Sequence, residues 1–231
     1  SKERVDLYQK EFNDHRIIYE VVPYVRSLGR GFDRIFAGLK YTLLRTKSTA
    51  LQRTLAREAS GNYGAYRVRQ IANFLLARPS VRRVVRGLDF LLVRNTLYVP
   101  VFEKYKPDLV FLAHLFEEPE IHILREAKRR KIKTIGFINS WDKVTARCIM
   151  RLLPQKAVVF NTFMKRGMIA HNDMREEDIV VAGIPQYDRY WTKPSLSREA
   201  FMQQIGIDPQ NKLIVYAPIG STVNTSDWDM I

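Results

Sequence analysis

An alternation of short apolar runs and longer polar stretches over residues 107–184 constrains the fold more than any other feature of the sequence. The apolar runs are rich in β-branched residues, and the polar stretches between them are long enough to form helices. Because parallel strands must be joined by long crossovers, this order predicts an α/β fold built from βαβ units around a Rossmann-like parallel sheet. We expect strands at 108–114, 133–139, 157–161 and 178–183, with helices at 118–131, 143–153 and 162–171.

The rest of the chain has a different rhythm. A helix is predicted at 3–12 and a strand at 16–22, and residues 30–105 form a basic helical region in which Pro79 and Pro100 are the strong breakers. A helix is also expected within 196–207, before a new buried strand at 212–217. These patterns predict a first domain over 1–184, a linker over 185–210 and the first strand of a second, truncated Rossmann-like domain over 211–231.

Charge is concentrated in the predicted helical region. The chain has 38 Lys and Arg against 24 Asp and Glu, a formal net charge of +14. Residues 26–86 contain fourteen of these cations and two acids, so the local balance is 14 − 2 = +12. Interleaved aromatic residues suit contact with an anionic membrane surface, with Arg82, Arg83 and Arg86 as candidate contacts. The alternatives are a solvated arginine face or nucleic acid, for which the sequence has no recognisable motif.

The sequence also bears on the compartment. Its single cysteine, Cys148, cannot form an internal disulfide, which fits a reducing environment. There is no uninterrupted apolar run of the length that crosses a bilayer, and the first residues lack the apolar centre of a signal peptide. We therefore expect a cytoplasmic protein that binds peripherally to the inner face of the membrane.

Candidate site residues are those that follow the predicted strands, because ligands of parallel sheets bind beyond the carboxyl ends of the strands. Loops converge there, and helix N-termini present free N–H groups. The residues selected by this rule are His114, Glu117, Glu118, Asn139, Ser140, Trp141, Asp142, Asn161, Thr162, Gly220 and Ser221.

The residues of the loop 139–142 and His114 each have two possible interpretations, one structural and one functional. Ser140 or Asp142 could cap the following helix, or could join Asn139 in hydrogen-bonding a sugar or base that stacks on Trp141. His114 could be a general base supported by carboxylates, or a histidine satisfied at a strand end. No metal site is expected, because the spacing of His114, His122 and the nearby glutamates matches no common zinc pattern.

Several segments resemble the middle of GT-B-type glycosyltransferases, including bacterial surface-polysaccharide enzymes and the CDP-glycerol glycerophosphotransferases. The similarity covers about residues 105–221 and is carried by "KPDLVF", "KTIGFINSWDKVT", "KAVVFNTFMKRGMIAHN", "GIPQYDRY" and "LIVYAPIGS". The resemblance implies two facing Rossmann-like domains, of which the first binds the acceptor and the second binds a nucleotide-activated donor.

The resemblance further implies specific roles for the candidate residues. His114 and Asp142 would be catalytic, and Glu117, Glu118, Asn139, Ser140, Trp141, Asn161 and Thr162 would line the acceptor side of the crevice. Gly220 and Ser221 would begin the donor phosphate loop. The substrates would be a nucleotide sugar and a glycan or lipid-linked acceptor, with no metal or other cofactor. We expect these 231 residues alone to be inactive, because most of the donor domain would follow Ile231.

Other functions stay open on the sequence alone. The same sheet suits a polyol-phosphate transferase or a nucleotide-sugar epimerase, since one fold supports many activities. A non-catalytic basic module that binds an anionic membrane or nucleic acid is the alternative of a different class.

Overall fold

The protein is an α/β protein with a four-stranded parallel sheet, as the alternating pattern predicts. In the computed structural model, residues 2–21, 31–192 and 195–215 are described. The chain divides into two compact units, Ser1–Gly183 and Ile184–Ile231.

The helices of the first unit lie mostly before the sheet, as expected for the basic region. Its helices are α1 (Lys2–Glu11), α2 (Phe32–Thr42), α3 (Lys47–Ser60), α4 (Tyr63–Leu76), α5 (Pro79–Leu92), α6 (Val99–Tyr105), α7 (Glu118–Arg129) and α8 (Thr162–Asn172). Its strands are β1 (Leu109–Leu112), β2 (Lys133–Phe137), β3 (Lys156–Val159) and β4 (Ile179–Val181). A π-helical turn (Lys143–Arg147) and a 3₁₀ turn (Glu176–Asp178) complete this unit. The second unit contains a 3₁₀ helix (Pro185–Trp191) and α9 (Arg198–Gln204).

The sheet has the simple order β1-β2-β3-β4, and every pair is parallel. Helix α7 packs against β1 and β2, while α8 packs against β3 and β4. Gly136 in β2 allows a close approach, since a Cβ atom there would lie 2.2 Å from Cδ1 of Leu115. Because all four strands are parallel, their carboxyl ends lie at the same edge of the sheet.

The two faces of the sheet differ in burial. On the face toward α7 and α8, Leu112, Ala157 and Val159 are almost fully buried. The opposite face carries Phe111 and Val180, which are 60% and 51% exposed. Phe111 stacks on Phe137 with ring centroids 6.4 Å apart. Parallel sheets usually bury both faces, so this half-open face is unusual within the described part of the chain.

A buried ionic cluster joins the helical layer to the sheet. Arg151, with a side chain 1% exposed, contacts Asp33 on α2, Asp89 on α5 and Glu118 on α7 at 2.5–2.9 Å. Arg125 donates a further bond of 2.8 Å to Asp89. Because buried charges must be paired, this cluster fixes the three helices relative to one another.

Three secondary-structure predictions are wrong in part. Residues 16–21 do not form a strand, and Ile18 is 71% exposed with no neighbouring strand to pair with it. The helix predicted at 143–153 is only the π-helical turn at 143–147. Residues 212–215 of the predicted strand have no regular secondary structure, with Ile214 91% exposed, and residues 216–217 lie outside the described residues.

Residues 148–153 are not helical because other elements satisfy their backbone. The Ile149 N–H donates to the carbonyl of Lys40, and the Met150 N–H donates to Oδ1 of Asn172. Arg86 Nε donates to the carbonyl of Met150 at 3.0 Å. A consecutive run of buried residues is thereby held in an irregular conformation, which hydrophobic periodicity alone could not distinguish from a buried helix.

Candidate functional site

The candidate site lies at the carboxyl edge of β1 and β2. His114 follows β1 by two residues, Asn139 follows β2 by two residues, and a bridge between His114 and Ile138 holds the two strand extensions together. Nδ2 of Asn139 lies 2.7 Å from Nδ1 of His114. Sequence reasoning placed both residues at this edge, and the structure brings them into direct contact.

The orientation of the Asn139 amide is fixed by Lys143. The ammonium of Lys143 donates a bond of 2.8 Å to Oδ1 of Asn139, so the amide nitrogen faces His114 and donates to its Nδ1. In the neutral ring the proton then resides on Nε2. His114 thus presents Nε2–H as a hydrogen-bond donor, whereas its Nδ1 lone pair, the basic position, is occupied.

Glu120 closes the site from α7. Its Oε2 accepts the backbone N–H of His114 at 2.6 Å. Burial raises the pKa of Glu120, which the hydrogen bonds from neighbouring backbone N–H groups and the charge of Lys143 only partly offset. A half-buried carboxyl group with a raised pKa is typical of functional sites, where environment rather than residue type sets protonation.

The loop 140–142 presents an aromatic ring and a carboxylate beside these residues. Trp141 is 72% exposed, and Ser140 donates its hydroxyl to Asp142. Asp142 precedes the π-helical turn, but its side chain makes no capping bond there. Asp142 is exposed and forms no ion pair within the described residues, so its carboxylate is accessible to a ligand.

The π-helical turn is held in place by contacts with α8 and with the residue that precedes α3. Thr46 Oγ1 donates to the carbonyl of Thr145 at 2.6 Å, and Gly167 on α8 leaves room for Val144, whose Cγ1 would lie 2.9 Å from an added Cβ. Single π turns inside or beside helices are frequent at functional sites. Lys143 is the first residue of this turn and directly follows the loop 140–142.

Other predicted residues take structural roles. Both oxygens of Glu118 bind cations of the buried cluster, Lys40 at 2.6 Å and Arg151 at 2.5 Å. Glu117 pairs with Arg147 at 2.7 Å. Asn161 caps α8 by accepting the Met164 N–H at 2.9 Å, next to the exposed Thr162. Gly220 and Ser221 lie outside the described residues.

Glu120 and Lys143 were missed by sequence reasoning. Glu120 lies in the first turn of α7 and Lys143 begins the π-helical turn, so both follow the loop residues that the strand-end rule selects. The signal was their spacing: Lys143 follows Asn139 by four residues, and Glu120 lies in the first turn of α7.

A second cluster contains residue types that can bind a metal ion, but cationic side chains of the protein already neutralise its carboxylates. Ligand atoms of Asp33, Glu118 and His122 lie within 4.8 Å of one another. However, Arg151 binds both carboxylates and Lys40 binds Glu118, so the cations that these acids require are supplied by the protein. The group therefore serves the buried ionic cluster.

The cationic helices separate into buried and exposed positions. Arg82 and Arg86 are buried and both bind Asp173, at 2.6 and 2.7 Å. Arg83, on the same helix, is exposed. The expectation that Arg82, Arg83 and Arg86 together contact a membrane is therefore corrected, since only Arg83 reaches the surface.

None of the helices over residues 2–21, 31–192 and 195–215 is long and apolar enough to cross a bilayer. Comparison of the chain with protein-family models, curated proteins and solved structures finds no significant match.

Proposed function

We propose that this chain is the acceptor-binding part of a GT-B-like, Rossmann-like glycosyltransferase, which transfers a sugar from a nucleotide-activated donor to a surface polysaccharide or lipid-linked glycan. The observation that carries the proposal is the contact of His114 with Asn139 beyond adjacent parallel strands, beside an exposed tryptophan. Ligands of parallel sheets bind at this edge.

The groups at this edge suit a sugar hydroxyl as the reacting group. An exposed indole offers a flat apolar face for a pyranose ring, and Trp141 is free to do so. Nε2–H of His114 donates to an oxygen of the acceptor, while the Asp142 carboxylate accepts a proton from the attacking hydroxyl. The Lys143–Asn139 bond keeps the histidine ring oriented for this contact.

Direct binding tests this proposal. The 231-residue chain is applied to an array of neutral and acidic oligosaccharides, and any retained glycan is titrated by isothermal titration calorimetry. Trp141→Ala should weaken binding by about two- to twelvefold, as expected for a lost stacking contact of about 0.5–1.5 kcal/mol. Trp191→Ala is the matched control, because Trp191 is 90% exposed but belongs to the second unit.

Two results would count against the assignment. Retention of no glycan would remove the acceptor role, and equal affinity of both tryptophan variants would remove the sheet edge as the site. His114→Ala and Asp142→Asn complete the series, since both should reduce affinity or transfer while leaving thermal unfolding unchanged.

A polyol-phosphate transferase of similar fold is the second candidate. It is favoured by the two donors at the edge, the Nε2–H of His114 and the ammonium of Lys143, which suit a phosphate oxygen. Titration with glycerol phosphate in place of oligosaccharide distinguishes it. Binding of the phosphate that is lost in Lys143→Met but kept in Trp141→Ala would favour this function over glycosyl transfer.

A further inference from the structure

A groove between α3 and α4 is separate from the sheet edge. Its volume is about 790 Å³. It is lined by three cations and three large apolar residues, which are Arg45, Lys47, Arg53, Ile71, Phe74 and Leu75. No acidic residue of the described part of the chain lines it. The groove therefore combines positive charge with apolar surface in one place.

The cations of this groove lack anionic partners. Within the described residues, none of Arg45, Lys47 and Arg53 forms an ion pair, in contrast to Arg82 and Arg86. Nη2 of Arg53 donates to Oδ1 of Asn73 at 3.1 Å, but its Nε is buried without a hydrogen-bond partner. Burial lowers the pKa of Arg53, and the charge of Arg45 adds to that effect. An external anion would satisfy these groups.

The apolar residues show which kind of anion fits. Ile71, Phe74 and Leu75 are each more than half exposed, and they lie along the same helix. Arg45 stacks on Phe74, 4.9 Å from the ring centroid. Cations beside exposed aliphatic and aromatic side chains suit the interfacial layer of a bilayer, where headgroup phosphates and acyl chains meet. A nucleic acid would leave the aliphatic groups in water.

The surrounding surface has the same character. Among residues 31–94 the exposed basic residues are Arg34, Arg45, Lys47, Arg67, Arg69, Arg78, Arg83 and Arg94. Glu58 is the one exposed acid in that range, because Asp33 and Asp89 are buried in the ionic cluster. The field at this surface is therefore positive and complementary to an anionic bilayer.

We propose that the α3–α4 groove docks on an anionic phospholipid bilayer, with a headgroup phosphate bound by Arg45, Lys47 and Arg53 and the side chains of Ile71, Phe74 and Leu75 inserted among the acyl chains. This docking is independent of the reaction at the sheet edge. It would hold the protein at the surface where a lipid-linked acceptor resides.

Vesicle sedimentation tests the docking. The 231-residue chain is mixed with vesicles of phosphatidylcholine alone or of phosphatidylcholine and phosphatidylglycerol, at low and high salt. The protein should sediment with the anionic vesicles and be released by salt. Arg45→Glu with Lys47→Glu should lower the partition coefficient by about tenfold or more, since each cation near an anionic surface contributes about 1 kcal/mol.

The matched control is Arg83→Glu with Arg166→Glu, which makes the same change in net charge at exposed residues outside the groove. It should retain most of the binding. Ile71→Asn should weaken binding to the anionic vesicles at low salt, because a polar side chain replaces one that inserts among the acyl chains. Circular dichroism of each variant checks that it is folded, and Lys47→Gln provides a milder substitution.

Three outcomes would overturn the proposal. These are equal sedimentation with neutral vesicles, equal losses in the groove and control variants, and binding of duplex oligonucleotides without vesicle affinity. The last outcome, with a steep salt dependence, would identify nucleic acid as the partner instead.

Discussion

Substitution of Arg151 by methionine tests whether the buried ionic cluster holds the helical layer on the sheet. The guanidinium contacts Asp89 through Nε and Nη2, Asp33 through Nη2 and Glu118 through Nη1, and its side chain is 1% exposed. Methionine fills similar volume but neutralises nothing. Three carboxylates would then share two remaining cations, Arg125 and Lys40, with His122 in contact with Asp33.

We expect Arg151→Met to lower the free energy of unfolding by about 3–5 kcal/mol, because removing one partner leaves uncompensated buried charge. This is a large part of the 5–15 kcal/mol that is typical of a domain. Urea denaturation followed by circular dichroism measures the change. The control is Arg175→Met, whose ion pairs with Asp178 and Glu177 involve an arginine side chain that is 72% exposed. We expect this control to cost about 0–1 kcal/mol.

The pH dependence gives the same prediction a second readout. Burial would raise the pKa of Asp33, but His122 and Arg151 outweigh it and lower that pKa from 3.8 to about 2. A carboxyl group with a depressed pKa stabilises the fold above its unfolded value and loses that contribution as pH falls through its folded value. The difference in the free energy of unfolding between wild type and Arg151→Met should therefore be largest above about pH 4 and decrease toward pH 2. A loss of less than about 1 kcal/mol, or one equal to that of Arg175→Met, would refute the reasoning.

Two further predictions concern the sheet and its edge. Gly136→Ala should destabilise the protein by about 1–3 kcal/mol in urea denaturation, because the new methyl group would overlap Leu115. Adding Leu115→Ala should give a double variant less destabilised than the sum of the two single changes, and simple additivity would contradict the contact. The raised pKa of Glu120 favours its protonated form in the folded state, so its contribution to stability is present at low pH and is lost as pH rises through the folded value. Glu120→Gln should consequently gain stability relative to wild type between pH 4 and pH 7, and a pH-independent difference would argue against this.

Local sequence patterns predicted the sheet well. Strands β1–β4 and helices α7 and α8 fall where periodicity and prolines place them, because each buries a regular face against its neighbours. The pattern failed at 148–153, where Met150 and its neighbours are all buried and their backbone is satisfied by Lys40, Arg86 and Asn172. These partners are distant in sequence, so no local window contains the information.

The site was predictable to the extent that it depends on strand ends. His114 and Asn139 meet because parallel neighbours in register bring their carboxyl ends together. The sequence alone could not show that Glu118 and Glu120, which are only two residues apart, have different roles. Helical geometry turns Glu118 toward Lys40 and Arg151 in the interior, whereas Glu120 faces the backbone of His114. Only the placement of α2 and of Arg151 decides between them.

Whether a basic residue is buried and paired or exposed also determines how much of the positive charge can attract a partner. A count along the sequence treats Arg82, Arg83 and Arg86 alike, yet the first and third are buried and share an ion pair with Asp173 inside the fold. The charge available to a partner is the part that remains exposed and unpaired, as at Arg45 and Lys47. Most acidic residues of the helical region pair with buried cations, so few carboxylates remain on its outer surface. That surface is therefore more uniformly positive than the order of charges along the sequence suggests. The buried ionic cluster pairs three carboxylates with Arg125, Arg151 and Lys40 and so adds no net charge, which leaves the exposed arginines and lysines to set the field that meets an anionic surface.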